Sequence, residues 1–327
     1  MKIPFKILVL IFIYELYYFS LSTAVECKSS SDSSKVAYTI TVSKTGGANF
    51  TTIMAAVNSI PTTNNQWIKI FISPGIYQEQ IKIYTKSCIV LEGQDRSTTT
   101  ITYGAHATTE ESITFDVYAD NFVAKGITFA NSYNRPLTPY VKPIPAVAFR
   151  ALGDKHAYFS CAFEGYQDTL WDDQGRHYFS SCYIEGAVDF IFGNGQSVYE
   201  GCQINVVGGG SITAQSRTSA QNPSGYVFNK CNISGTGLVF IGRAYRAYSR
   251  VIFINSYFAN VVDPQGWFIW DQTGHENDII YAEVQCKGPG ADTSKRVPWA
   301  KKLSDYEVQQ YSTKAFIDQE GWISKLP

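Results

Sequence analysis

Apolar and polar positions along most of the chain follow the short alternating runs of β-strands. The exception near the N-terminus is residues 50–60, whose apolar spacing fits one short helix that ends at Pro61. Beyond Pro61 the apolar runs are brief and separated by turn residues, and helical spacing returns only in roughly the last 40 residues. The pattern predicts an all-β domain with a short N-terminal helix and a C-terminal segment of helices and loops.

A short apolar motif recurs along the chain. Tyr158-Phe-Ser-Cys161-Ala-Phe-Glu-Gly165 and Phe179-Ser-Ser-Cys182-Tyr-Ile-Glu-Gly186 place their cysteines and their glycines 21 residues apart. Strand-rich units at such a period predict a β-solenoid whose coils stack on one another. A barrel or sandwich would instead have strands every 8–12 residues or so, without one offset that preserves residue type. Looser copies of the motif contain Cys202, Cys231 and Ser256, and an earlier one begins at Phe122.

Two aspartates share the offset of the repeat, since Asp168 and Asp189 are also 21 residues apart. In a solenoid they would stack on neighbouring coils, at the ~4.8 Å spacing of adjacent strands. Like-charge repulsion would then separate an acid from a base or nucleophile. Gln167 offers an amide donor beside Asp168, and Arg243 could pair with Asp189 and keep it ionised. An aspartate ladder or a calcium site on a polar face is the alternative at this point.

The first 24 residues have the features of a secretory signal peptide. Lys2 and Lys6 precede an apolar stretch, and Ser22-Thr-Ala24 has the small residues of a cleavage site. Glu15 interrupts the stretch, which argues against a membrane anchor because a span needs ~20 apolar residues. We predict a signal peptide over 1–24, a flexible lead-in over 25–37 and one catalytic domain over 38–327, secreted and without a membrane partner.

Composition narrows the possible partners. The chain has 327 residues and a formal net charge of -1, so no global field favours nucleic acid. The four histidines lack a metal-ligand spacing, and no metal is expected. Seven cysteines leave at least one unpaired in an oxidising compartment. Asn49-Phe-Thr51 and Asn232-Ile-Ser234 are candidate glycosylation sites.

Seven motifs, in the same order along the chain, resemble those of the plant pectin methylesterase (pectinesterase) family. The resemblance covers nearly all of the chain after the signal peptide and implies a single-stranded right-handed parallel β-helix, in agreement with the repeat. The motifs are Gly75-Ile-Tyr77-Gln-Glu79, Gly165-Tyr-Gln-Asp-Thr-Leu170, Asp189-Phe-Ile-Phe-Gly193-Asn, Ile212-Thr-Ala-Gln215, Ile241-Gly-Arg243, Gly266-Trp267-Phe-Ile-Trp270 and Gly288-Pro-Gly-Ala291.

The resemblance implies a two-step hydrolysis of pectin methyl esters in the plant cell wall. Asp189 would be the nucleophile, and Asp168 the proton donor and then the general base. Gln167 would stabilise the oxyanion, and Arg243 would orient Asp189, lower its pKa and contact the substrate. No cofactor is needed. The expected partner of this monomer is methylesterified homogalacturonan, and a proteinaceous pectinesterase inhibitor is a further candidate.

Aromatic residues near these motifs are candidate contacts for sugar rings, because aromatic faces pack on them. For any single one a place in the core is an equal alternative. Thr114 occupies a position that resembles a substrate-contacting threonine. The candidates for the substrate groove are Thr114, Tyr166, Trp171, Phe190, Tyr245 and Trp270.

The chain departs from the family pattern at two places. Pro145-Ala-Val-Ala148 stands where the family has Gln-Ala-Val-Ala, so proline replaces a second oxyanion donor. Loss of one such donor costs ~2.7–4 kcal/mol of transition-state stabilisation. Tyr245 stands where the family has tryptophan, a milder change that keeps an aromatic platform.

Three functions follow as alternatives. The first is a pectin methylesterase, of reduced activity if Pro145 weakens the oxyanion site. A lyase or glycosidase on the same fold would need calcium-binding aspartates with a basic residue, or a cluster of acidic groups, and the pairing of Asp168 with Asp189 fits neither. The third is a catalytically impaired pectin-binding paralogue. The presence of both aspartates, Gln167 and Arg243 favours the esterase.

Overall fold

The computed structural model describes residues 26–28, 35–135 and 142–327. The predicted signal peptide and residues 29–34 of the predicted lead-in lie outside them. The described strands are β1 (Tyr38–Val42), β2 (Ile68–Ile72), β3 (Gly75–Gln78), β4 (Ile81–Ile83), β5 (Ile89–Gly93), β6 (Thr99–Tyr103), β7 (Phe115–Val117), β8 (Phe122–Lys125), β9 (Thr128–Asn131), β10 (Phe149–Ala151), β11 (His156–Phe159), β12 (Ala162–Glu164), β13 (Leu170–Asp172), β14 (Arg176–Ser180), β15 (Tyr183–Gly193), β16 (Gln196–Glu200), β17 (Gln203–Gln215), β18 (Gly225–Asn229), β19 (Asn232–Gly235), β20 (Val239–Arg243), β21 (Arg250–Ile254), β22 (Tyr257–Phe258), β23 (Trp267–Phe268) and β24 (Ile280–Val284).

Three parallel sheets form the faces of a solenoid. Sheet 1 has ten strands in the order β1-β2-β5-β8-β11-β14-β16-β18-β21-β24. Sheet 2 runs through β3, β6, β9 and β12, and sheet 3 through β4, β7, β10 and β13. The long strands β15 and β17 bend through the corner and belong to both sheets, which continue into β19 and β22 and into β20 and β23. The chain visits the sheets in turn, which confirms the predicted all-β parallel β-helix.

The coil length varies more than the repeat predicted. His156 pairs with His177, 21 residues later, whereas Val123 pairs with Ala157, 34 residues later. Insertions between the strands absorb the difference, so sheet 1 keeps its register. The earliest predicted copy of the repeat was wrong by two residues, because Tyr158 pairs with Ala124 and not with Phe122.

A single residue with left-handed backbone forms the corner between sheets 1 and 2. Such one-residue corners fix the angle between the sheets, and the residue that follows always faces the interior. This geometry is the physical cause of the repeating cysteines, which come directly after four of these corners. The corner residues, with φ of 51–62°, are Gly126, Ser160, Ser181, Gly201, Lys230 and Asn255.

The seven cysteines comprise one disulfide, a buried stack of four, and Cys286, which is free and partly buried. Cys27 and Cys88 are bonded, with Cα atoms 5.7 Å apart, and the bond attaches the lead-in to sheet 1. Within the described residues Cys161, Cys182, Cys202 and Cys231 are unpaired and buried, as the interior-stack interpretation expected. Burial raises the pKa of the Cys161, Cys182 and Cys202 thiols well above their ordinary value.

Aromatic rings fill the interior beside this stack. Consecutive rings on sheet 1 lie 4.3–4.6 Å apart between centroids, each directly above the previous one. Stacking of like side chains on successive coils gives the solenoid one continuous core. The five stacked rings are Tyr158, Phe179, Tyr199, Phe228 and Phe253.

Short helices cover the ends and one side of the solenoid. The predicted N-terminal helix is α1 (Ile53–Ser59), whose first amides donate to the Glu79 carboxylate at 2.9 Å. The C-terminal segment contains α2 (Asp305–Gln310) and α3 (Thr313–Phe316), with 3₁₀ turns at Pro289–Ala291 and Ile323–Lys325. Phe316 and Trp322 pack with the outer face of sheet 1. The helices of the described residues are all too short or too polar to cross a membrane.

Candidate active site

Asp168 and Asp189 occupy equivalent positions on adjacent coils. Gln167 bridges Val188 and Leu170 pairs with Ile191, so the register places the two aspartates opposite each other between these pairs. Both have left-handed backbones, with φ of 60° and 49°, at the corner between sheets 2 and 3. Aspartate tolerates this conformation better than most residues. The stacking predicted from the offset of 21 is therefore confirmed, and the corner is a feature that the sequence pattern did not reveal.

The two carboxyls differ in how readily they hold a proton. Burial, followed by the negative charge of Asp189, raises the pKa of Asp168 to about 7 against the lowering effects of Arg243 and the Thr109 hydroxyl. Burial raises the pKa of Asp189 to about 6, although Arg243 lowers it. Arg243 therefore acts in the predicted direction, but desolvation outweighs it. Asp168 therefore keeps its proton to a higher pH than Asp189, and Asp189 ionises first as the pH rises.

Arg243 holds one side of the Asp189 carboxylate. Its Nη2 contacts Asp189 Oδ2 in an ion pair whose side chains are 23% and 7% exposed. The guanidinium also lies over the Trp270 ring, 3.8 Å from the centroid. Within the described residues, the other oxygen of Asp189, Oδ1, has no hydrogen-bond partner. Arg243 thus orients the carboxylate and leaves one oxygen uncommitted.

Gln167 and Pro145 lie side by side on neighbouring coils. The Ala146 amide donates to the Gln167 carbonyl at 3.2 Å, which fixes the register of these two segments. Both side chains line the same cleft as the aspartates. The side chain of Gln167 is therefore at the site, and the ring of Pro145 occupies the place where the family has a second amide donor by the resemblance stated above.

A cleft of about 420 Å³ contains these groups. Thr109 and Glu110 line it, although sequence reasoning missed both. They lie in the long connection between β6 and β7, outside the strands that carry the repeat, so no periodicity pointed to them. The lining residues are Thr109, Glu110, Pro145, Gln167, Asp168, Trp171, Asp173, Asp189, Phe192, Gly193, Ala214, Ser216, Arg243, Tyr245 and Trp270.

Three of the predicted aromatic contacts lie in this cleft. Trp171, Tyr245 and Trp270 line it, and the Tyr245 and Trp270 rings are 5.3 Å apart. Trp171 stacks on Phe192 at 5.2 Å and carries the Arg150 guanidinium 4.2 Å from its centroid. These rings form walls on both sides of the aspartates, as expected for a site that holds a sugar chain.

The other three predicted contacts lie elsewhere. Phe190 is fully buried in the core, because the corner at Asp189 turns the next side chain inward, and its assignment to the groove was wrong. Thr114 is also fully buried and donates to the Ala130 carbonyl at 3.3 Å, so its assignment was wrong too. Tyr166 does not line the cleft; its ring lies against Gly208.

Known proteins of one family match this chain in sequence and in fold. The pectinesterase family model matches residues 39–320. Probable pectinesterases 29 and 55 of Arabidopsis thaliana are 47% and 46% identical to the chain, covering 88% and 89% of it and 89% and 91% of those proteins. The solved structure of a pectin methylesterase from carrot superimposes with a TM-score of 0.83 at 31% identity, covering 90% of this chain and 98% of that one. The chain belongs to the pectinesterase family.

Proposed function

We propose that the protein hydrolyses methyl esters of homogalacturonan to free carboxylates and methanol, with Asp189 as nucleophile and Asp168 as acid and base. The observation that carries this proposal is the stacked pair itself. A partly buried carboxyl, Asp168, and a buried one, Asp189, lie on adjacent coils and differ in proton affinity. Asp189, which ionises first, is oriented by Arg243 and keeps Oδ1 without a hydrogen-bond partner among the described residues. Such a pair suits acyl transfer through a covalent intermediate.

In the first step, Asp189 Oδ1 attacks the ester carbonyl carbon and forms a tetrahedral intermediate. The developing oxyanion accepts a hydrogen bond from the Gln167 amide. Collapse of the intermediate breaks the bond to the methoxy oxygen, which takes the proton of Asp168 and leaves as methanol. An anhydride between Asp189 and the galacturonate carboxyl remains. Since Asp189 is only 7% exposed, the ester must enter the floor of the cleft for this attack.

In the second step, water hydrolyses the anhydride. Asp168, now ionised, accepts a proton from the water as it attacks the galacturonyl carbonyl carbon. The carbon–oxygen bond to Asp189 breaks, which releases the sugar carboxylic acid and restores both aspartates. The released acid then gives its proton to the solvent and becomes a carboxylate. The order of proton affinities matches this cycle, because Asp168 begins protonated while Asp189 begins ionised between about pH 6 and pH 7.

Pro145 makes reduced activity, or a pectin-binding role without turnover, the second candidate. Its ring lines the cleft beside Gln167 and offers no donor to the oxyanion. With Gln167 as the remaining amide, turnover would be slower by ~10²–10³-fold than with two donors. The complete set of Asp168, Asp189, Gln167 and Arg243 in one cleft supports residual activity over a purely binding role.

We further propose that the enzyme is exported and acts in the plant cell wall. The predicted signal peptide over 1–24 supports export. The Cys27–Cys88 disulfide supports an oxidising compartment. The two candidate glycosylation residues, Asn49 and Asn232, are both exposed on the surface, where modification would be sterically possible.

Methanol release from highly methylated pectin tests the proposal. The wild type should release methanol, Asp189→Ala should abolish release, and Pro145→Gln should raise the rate by up to about 100-fold. Polymer length should not change, which separates the esterase from a lyase or glycosidase. If wild type and Asp189→Ala both stay at background over a range of pH while the wild type still binds pectin, the binding role replaces the esterase.

A further inference from the structure

A row of outward-facing residues leads away from the cleft along sheet 3. The register pairs Lys82 with Asp116, Asp116 with Arg150, and Arg150 with Trp171. Each neighbour in the row belongs to the next coil, so Lys82 lies three coils before Trp171, about 14 Å away at the spacing of adjacent strands. Trp171 lines the cleft, and the row is therefore continuous with the catalytic site.

Arg150 and Tyr118 join the cleft to a pair of tyrosines. The Arg150 guanidinium lies between Trp171 and Tyr118, 4.2 and 5.1 Å from the two centroids, and its Nη1 donates to the Tyr118 hydroxyl at 3.0 Å. Its Nε and Nη2 donate to Asp173 Oδ2 at 3.0 and 2.8 Å. Arg150 is thus fully engaged in holding this surface together. The Tyr84 ring lies 4.9 Å from that of Tyr118.

Tyr84 exposes a large aromatic surface at the far end of the row. It is 55% exposed, although its neighbour Tyr118 anchors it from one side. Lys82 precedes it by two residues, and within the described residues the Lys82 ammonium has no ion pair or hydrogen bond, its nearest influence being on the buried Asp116. Asp116 interacts with the charges of both Arg150 and Lys82, so it offsets the Lys82 charge only in part. An exposed ring beside such an ammonium suits a ligand that is both a sugar and an anion.

The charges at the two ends of the row are opposite. The catalytic cleft is lined by Glu110, Asp168, Asp173 and Asp189. Asp173 and Asp189 pair with Arg150 and Arg243, whereas Glu110 has no ion pair within the described residues, and Asp168 ionises above about pH 7. A galacturonate unit that has lost its methyl group carries a negative charge, which these carboxylates repel. At Lys82 the same charge is attracted. This difference in charge along the row favours methylated units at Asp168 and Asp189. It favours units with a free carboxylate at Lys82, three coils away.

We propose that Lys82, Tyr84 and Tyr118 form an accessory subsite that binds an unesterified galacturonate unit of the same polymer whose methyl ester lies at Asp189. This inference rests on the proposed function for the identity of the polymer. Its sugar ring would pack on Tyr84, and its carboxylate would pair with Lys82. The subsite would anchor partly demethylated chains and would contribute nothing to oligomers too short to reach it.

Binding to fully unesterified polygalacturonate tests the subsite independently of catalysis, in the Asp189→Ala background. Tyr84→Ala should weaken binding about 3- to 10-fold, whereas Tyr84→Phe, which keeps the ring, should bind like its parent. Tyr306→Ala is the matched control, since Tyr306 is a 73% exposed tyrosine on α2. Lys82→Gln should weaken binding and reduce its dependence on salt. Equal binding by Tyr84→Ala and its parent would overturn the subsite.

Kinetics then separate this inference from the proposed function. Tyr84→Ala in the otherwise unchanged enzyme should raise KM for partly methylated polymer and leave kcat unchanged, and should not affect a methylated trigalacturonide. An equal loss on both substrates would show a structural role for Tyr84 and overturn the subsite. If the wild type releases no methanol at all, the esterase fails, and the binding experiment still decides on the subsite.

Discussion

Two clusters built on buried aspartates lie close together in the sequence and differ in what they leave open. One is the proposed catalytic pair of Asp168 and Asp189 with Arg243 at the cleft. The other is Asp172, on the inner face of β13, whose carboxylate oxygens contact His177 Nδ1 at 2.5 Å and the Tyr199 hydroxyl at 2.6 Å. Both contain a carboxylate and a cation in a desolvated setting, yet only the first has the properties of a reactive site.

The interior cluster has all of its main partners in place. His177 Nε2 donates to the Gly153 carbonyl at 2.8 Å, so both ring nitrogens face acceptors and the imidazole is held as a cation. Burial alone would lower the pKa of His177, but Asp172 and these hydrogen bonds raise it. Asp172 and His177 are fully buried, and a closed ion pair of this kind stabilises one arrangement of the coil.

In the proposed catalytic cluster, as far as the structure describes the chain, two buried polar atoms have no hydrogen-bond partner. Asp189 Oδ1 and Arg243 Nε have no hydrogen-bond partners within the described residues, and the pKa values of Asp168 and Asp189 are raised to about 7 and about 6. Uncommitted polar atoms cost stability unless a ligand uses them. The structural aspartate differs from the proposed catalytic pair in whether every carboxylate oxygen has a hydrogen-bond partner. This difference is clearer than any difference in burial or charge.

The largest expected effect is on the free energy of unfolding, which matched substitutions in the two clusters should change to different extents. Asp172→Asn should lower the free energy of unfolding by about 3–5 kcal/mol, because it leaves the buried His177 cation without its counter-charge. Asp189→Asn, the same change in the open cluster, should not destabilise the fold. Urea unfolding of both variants measures the difference. Equal losses in the two would contradict the distinction drawn between the clusters.

Asp168→Asn should stabilise the protein in a pH-dependent way. The folded pKa of about 7 lies above the ~3.9 of an unfolded aspartate, so the wild type loses stability as the pH rises between these values. The asparagine variant lacks this loss and should gain on the order of 4 kcal/mol at pH 8 and nothing near pH 4. Thermal unfolding across this range, with Asp271→Asn at an exposed aspartate as the control, measures the gain. A gain that did not vary with pH would exclude this origin.

Arg243→Gln should shift the acidic limb of the pH–rate profile upward. Arg243 lowers the pKa of Asp189 through its charge and a hydrogen bond, so its loss leaves that carboxyl protonated to a higher pH. The limb set by Asp168 should move upward less, because Arg243 lowers the pKa of Asp168 through charge alone. The expected shift is about one pH unit or more in kcat/KM for methylated pectin. A uniform loss of rate with an unchanged profile would mean that Arg243 acts only through substrate contact.

Glu110→Gln should give the smallest effect, a rise of about 2- to 5-fold in kcat/KM on partly demethylated pectin at low salt. Glu110 lines the cleft, so its charge repels free carboxylates there. Glu111→Gln is the matched control, because Glu111 contacts Thr108 and lies outside the cleft lining. The effect should vanish at high salt. Similar changes in both variants would indicate a general charge effect.

The sequence by itself determined the architecture and the stacking of the proposed catalytic pair. The 21-residue offset of Cys161 and Cys182 reflects one-residue corners, and the same offset places Asp168 over Asp189 because coils of equal length stack in register. Gln167, Arg243, Trp171, Tyr245 and Trp270 also lie in the cleft as predicted. Local periodicity suffices wherever adjacent coils have the same length.

Only the tertiary structure decided the orientation of particular side chains and the contribution of the insertions. The left-handed corner at Asp189 turns Phe190 into the core, which no spacing of residues could indicate. Thr109 and Glu110 reach the cleft from an insertion that lies outside the repeat. Burial in the packed solenoid raises the pKa of Asp189 by more than the charge of Arg243 lowers it. A sequence repeat fixes the stacking of coils, whereas the partners of each buried atom depend on how the whole chain packs around them.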